Sequence, residues 1–208
     1  MWRKSMKITG IIVCMLLITA ILPIAVLAGD SENPEVVDRI MDVRLSGLFP
    51  FFLQTFLKYA DIVSAWFQED TENPNYLYIT LKIRHLQDTT ALEAIYDVQW
   101  TFNNNLYTTC VHANPLGFSA FFIGKSTDGD NSFESWEYCD GNINVEENTI
   151  TWIIPKEAIG NPHTGNALTY IYPSTHLRFT DKSGLPPMDL FKDLPWNAKL
   201  IKDYIIQY

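Results

Sequence analysis

Residues 61–83 read DIVSAWFQEDTENPNYLYITLKI, two alternating runs joined by a polar turn that contains Pro74. In the second run Leu77, Ile79, Leu81 and Ile83 share one side, and Tyr76, Tyr78, Thr80 and Lys82 share the other. A period of two over eight residues marks a half-buried antiparallel strand, and the turn between the runs makes the pair a hairpin. Packing accounts for the aliphatic side. The outward side, with Tyr76, Tyr78, Lys82 and Arg84, is left for something else to cover.

Working outward, the same texture repeats. Tyr96, Val98, Trp100 and Phe102 alternate against Ile95, Asp97, Gln99 and Thr101, and Asn103-Asn104-Asn105 then signals a turn before a strand over 106–112. A short charge-free strand is expected over 117–124, one over 133–139, and two short runs over 142–154 around a turn at 146–148. Pro155 followed by Gly160 frames a single helical turn. Residues 168–179 predict a strand interrupted at Pro173, and 203–208 a closing run. Eight or nine short strands separated by turn residues predict an all-β protein, an antiparallel β-sandwich of jelly-roll type over residues 61–208.

Ahead of it, residues 29–60 form a polar lead and a Phe-rich stretch. Leu45, Leu48, Phe49, Phe52, Phe56 and Leu57 recur near helical spacing, which predicts a short amphipathic helix before the sandwich. Its apolar stripe would pack on the sandwich, meet a membrane, or serve as a subunit contact. At the N-terminus Arg3, Lys4 and Lys7 precede a charge-free run over 8–28 ending Val26-Leu27-Ala28. This pattern predicts a signal peptide over 1–28, or a retained signal anchor, because the run approaches the roughly 20 residues that span a bilayer. Either outcome places the remainder outside the cell or on its surface.

The formal charge is −9, so nucleic acid and anionic membrane surfaces are poor partners. Beyond the apolar run two cysteines remain, Cys110 and Cys139; an exported chain with an even pair is expected to join them as a disulfide, contributing about 3 kcal/mol by loop closure. No nucleophile elbow, HExxH, phosphate loop or dinucleotide fingerprint occurs, and His85, His112, His163 and His176 are scattered. A secreted hydrolase would need a site assembled from distant residues, either paired carboxylates or a Ser/His pair. In Thr127–Glu134 the donors Asp128, Asp130, Ser132 and Glu134 alternate as hard oxygens of the kind calcium requires, although the loop is not a full EF-hand. Among the tryptophans, Trp136 with Tyr138 beside this acidic loop is the candidate pair for stacking on a sugar ring.

The hairpin, the strand around Tyr96–Trp100 and the segment TITWIIPKEAIGNPHTGNALT at 149–169 resemble the DOMON-like and family-9 carbohydrate-binding-module-like sandwiches. The ending Lys202-Asp203-Tyr204-Ile205-Ile206 is similar to the closing strand of secreted archaeal proteins of this type. The resemblance implies a non-catalytic module that binds carbohydrate or another envelope component; a structural protein of the cell surface that assembles through 40–60 is the alternative. Some relatives of this type hold haem through Met and His, but Met41 and Met188 sit in no such pairing here.

Overall fold

The computed structural model describes residues 29–45, 54–87, 93–114, 116–127, 133–179 and 188–208. The leader over 1–28, the Phe-rich core of the 40–60 stretch at 46–53 and the loop residues 128–132 lie outside them. Among the described residues no helix is long and apolar enough to cross a membrane.

The described residues fold mostly into antiparallel strands, which meets the all-β expectation. The quoted hairpin is β3 (Ile62–Glu69) and β4 (Tyr76–Ile83), in register from Ser64 opposite Lys82 to Glu69 opposite Leu77, with a one-residue shift between Ser64 and Ile62, which stands opposite Ile83. Leu77, Ile79, Leu81 and Ile83 are fully buried, as their spacing predicts. Two short strands, β1 (Val36–Val37) and β2 (Arg44–Leu45), precede a helix of about two turns, α1 (Gln54–Ala60). After the hairpin come β5 (Glu93–Phe102), β6 (Asn105–Asn114), β7 (Gly117–Phe118), β8 (Phe121–Ser126), β9 (Ser135–Asn144) and β10 (Thr149–Pro155). A 3-10 turn over Lys156–Ile159 follows, then β11 (Ala167–Phe179), β12 (Met188–Asp193), β13 (Leu200–Ile201) and β14 (Tyr204–Ile205).

The strands form one curled, half-barrel sheet in the order β13-β1-β3-β4-β10-β9-β8-β6-β5-β11-β12-β2, with β14 beside β11 and β7 beside β6. The curl turns on β9. Its first half, Ser135 to Cys139, pairs with β8, and its second half, Asp140 to Asn144, pairs with β10. Gly141 stands just past the changeover because the Phe121 ring occupies the place of its side chain: a Cβ there would meet Phe121 Cδ1 at 2.3 Å. Phe121 in turn meets Trp152 edge-on at 6.2 Å between centroids. The curl brings β3 to face β5, so Phe67 packs edge-on against Trp100 at 5.7 Å and stacks on Tyr204 at 5.6 Å. Each large apolar side chain removed from water in this way contributes about 1.5–3 kcal/mol.

Local expectations changed at four places. The helix before the sheet is shorter than its periodicity suggests: residues 44–45 form β2, and Met41 has a left-handed φ of 74°, which stops a helix there. Residues 117–124 divide into β7 and β8, while 135–144 are one strand rather than parts of two. The break in β11 falls at Tyr170 (φ 52°), where the register with β5 shifts between Thr169 and Tyr172, and not at Pro173. Pro173 stays in register opposite Val98. On its other side β14 ends at Leu168 and β12 begins at Thr175, so the missing N–H faces no neighbouring ladder.

The expected disulfide is not formed: Cys110 and Cys139 are both free thiols. Cys110 lies in register with Phe122, and Phe122 with Tyr138, so Cys139 is one residue out of that row and turns to the opposite, core-facing side. Two strand spacings, about 10 Å, also separate β6 from β9, beyond the roughly 7 Å between Cα atoms that a disulfide bridges. Burial first, then nearby acids, push both thiols up to about 12, which leaves them protonated and inert at neutral pH.

Candidate functional site

The outer face of β11, β5, β6, β8 and β9 carries side chains in two parallel rows. One row runs Ser174, Asp97, Cys110, Phe122, Tyr138; the next runs Tyr172, Gln99, Thr108, Gly124, Trp136. Because β5 buries Tyr96, Val98 and Trp100 on its inner side, Asp97 and Gln99 must point outward. The same parity sends Trp136 and Tyr138 outward on β9, where they are 49% and 78% exposed. Gly124 matters here for space: a Cβ on it would approach Trp136 Cε3 and Cζ3 to 3.1 Å, so the indole lies over bare backbone. Phe133 leans on Trp136 at 5.2 Å, and Phe122 on Tyr138 at 5.0 Å.

Phe122, Phe133 and Trp136 form one wall of a groove of about 400 Å³. Its floor and far side are polar, with Asp97, Gln99, His112, His176 and Arg178. Glu93 holds His112 Nδ1 at 2.9 Å, which orients that ring. Asp97 is buried, and the desolvation of its carboxylate pushes it up to about 7 even though Ser174, Arg178 and Lys192 pull the other way. A half-exposed aromatic wall facing a few oriented polar groups suits a small amphipathic ligand.

The two stacking candidates share the outer face of β9, but only Trp136 lines the groove. The histidines that looked scattered are not: His112 and His176 enter the same groove because β6 and β11 flank β5 and put both opposite Ile95. No local spacing signals that pairing. Of the calcium candidates, Asp128, Asp130 and Ser132 lie outside the described residues. Glu134 is described, and its Oε1 accepts the Thr127 N–H at 3.3 Å and the Thr127 hydroxyl.

A Ser/His pair, the requirement for a hydrolase, does occur. Ser174 Oγ is 3.2 Å from His176 Nε2, but its hydroxyl donates to the Asp97 carboxylate at 2.7–2.8 Å. In a hydrolytic triad the histidine stands between serine and acid and removes the hydroxyl proton. Here the serine stands between, its proton is committed to the acid, and its side chain is buried. The arrangement orders the groove floor and does not activate a nucleophile.

A second, larger groove of about 860 Å³ covers the outward side of the opening hairpin, where Tyr78 and Lys82 join Trp66 and Thr151. It offers less to a ligand than its size suggests. Thr80 and Thr151 hydrogen-bond each other at 2.9 Å, and Trp66 is buried, so its indole offers no open face. Of the other two outward residues, Tyr76 is exposed and Arg84 pairs with Asp61 at 3.1 Å. In the 40–60 stretch, Ile40 and Met41 are exposed.

No family model, no curated protein and no solved structure matches this chain.

Proposed function

We propose that this protein is a non-catalytic binding module for extracellular carbohydrate, and that the groove under Trp136 is its binding site. The observation that carries the proposal is the half-exposed Trp136 indole, set against the bare backbone of Gly124 and sharing a groove with Asp97, Gln99 and Arg178. A pyranose has an apolar C–H face and an equatorial belt of hydroxyls, so it needs a ring on one side and oriented donors and acceptors on the other. The resemblance to family-9 carbohydrate-binding-module-like sandwiches points the same way; on that basis the two facing halves of the curled sheet are the two sheets of a sandwich joined through β9. The basic start and charge-free run over 8–28 support export to the cell surface or beyond.

The test is a soluble glycan panel followed by calorimetry on the best ligand. Trp136→Ala should weaken binding at least about tenfold, the loss typical of removing a central aromatic anchor, while leaving the melting temperature within a few degrees. Failure of the wild type to retain any glycan, or an unchanged affinity in the variant, overturns the proposal.

A further inference from the structure

Far from the groove, three carboxylates from distant parts of the chain converge. Asp38 follows β1, Asp42 precedes β2, and Asp193 ends β12; one oxygen from each lies within 4.8 Å of the other two. Asp38 and Asp193 are each 1% exposed. Asp38 Oδ1 accepts the Arg39 N–H at 2.8 Å, but Oδ2 is buried and accepts nothing, and Asp42 Oδ1 is likewise buried without a partner. A buried charged oxygen with no partner is a large cost unless a cation or proton meets it.

The surroundings place the acids with care. Asp61 accepts the Met41 N–H through both oxygens, at 2.9 and 3.1 Å, and this holds the left-handed turn at Met41 that swings Asp42 back toward Asp38. Asp193 Oδ2 accepts Ile62 N–H at 2.7 Å, and Oδ1 accepts Leu194 N–H at 3.0 Å, which leaves each oxygen a second lone pair. Arg84 is committed to Asp61, and Lys199 is the cation that acts on Asp38.

We propose that Asp38, Asp42 and Asp193 form a calcium site that fastens the lead segment to the seam between β3 and β12. The donors are all hard oxygens, and their mutual spacing fits inside a coordination sphere with bonds of about 2.4 Å, whose diameter is about 4.8 Å. Three carboxylates with water completing the shell suit Kd of about 10⁻⁴–10⁻³ M. Calcium fits better than magnesium, because magnesium demands near-octahedral geometry and gives up its waters reluctantly. The site is separate from the 127–134 loop and does not depend on the carbohydrate reading.

The experiment is calorimetric titration of the full chain in mild nonionic detergent with CaCl₂ and with MgCl₂, paired with thermal melts in calcium or chelator. One calcium per chain should bind, the melting temperature should rise with calcium, and chelator should reverse the rise. Asp38→Asn and Asp193→Asn should abolish the response. If either variant fails to fold, Asp42→Asn, at a half-buried position, should still weaken calcium at least about tenfold while melting in chelator no lower than the wild type. No binding by the wild type at about 10 mM calcium, well above that Kd range, overturns the proposal. So does calcium binding that survives Asp42→Asn and is lost in Glu134→Gln.

Discussion

Gly124 and Trp136 show how a single missing side chain makes a binding surface. The indole can approach the strand this closely only because nothing projects from it at Gly124, and Thr108 Cγ2, 3.1 Å from where a Cβ would sit, closes the alternative space. Gly124→Val is expected to lift the indole off β8, lowering affinity for the glycan about tenfold or more with little loss of fold, since the face is outside the core. Tryptophan emission and calorimetry on the same sample check it; an unchanged affinity would show that the indole seated at Gly124 is not what the ligand meets. The exposure of Trp136 and Tyr138 was legible in the sequence because both follow the polar loop and share one parity. The role of Gly124 was not, since it depends on a neighbour across the sheet and twelve positions on.

At the scale of elements, the end of β3 is tied down by an ion pair of unusual completeness. Glu69 is fully buried, with Lys156 at Oε1, and Oε2 accepting the Tyr204 hydroxyl at 3.0 Å and the Gln207 N–H at 2.6 Å. It joins the opening hairpin, the 3-10 turn and β14. Removing one partner of such a pair leaves an uncompensated buried charge and costs about 3–5 kcal/mol, so Glu69→Ala should lose about that much stability in urea unfolding. A loss below about 1 kcal/mol, the size of an exposed pair, would mean water reaches Lys156. Here sequence and structure part in an instructive way. Strand faces are local, and the period of two placed Leu77 through Ile83 and Tyr96 through Phe102 correctly. Pairings between faces are not local: Cys110 and Cys139 were separated by register, Gly141 looked like a strand end but serves Phe121, and the Asp38, Asp42 and Asp193 cluster has no common spacing at all.

For the whole molecule, buried acids set the response to pH. Burial raises Glu35 and Asp97 each to about 7, against the ordinary values of 4.5 and 3.8 that they regain on unfolding. Between about pH 4 and 7 the folded chain therefore holds protons that the unfolded chain has released, and stability falls as pH rises through that window. The contribution is full below the unfolded values and gone above about 7. Melting in chelator should accordingly drop from pH 4.5 to 7.5, and the double exchange Glu35→Gln with Asp97→Asn should flatten the slope. A wild-type profile that rises over this range would mean that both carboxylates are ionised in the fold.

The strand order also bears on how the chain reaches this structure. β3 and β4 are neighbours in sequence and can pair at once, but the strand that completes β4 on its other edge is β10, and Thr80 waits for Thr151, 71 positions later. At about 5–20 residues per second a growing chain needs about 4–14 s to cover that distance. For those seconds the row Leu77, Ile79, Leu81, Ile83 has an open edge and an uncovered apolar face, the combination that invites pairing with another chain. The opening hairpin thus passes through synthesis with an edge that its own chain fills late.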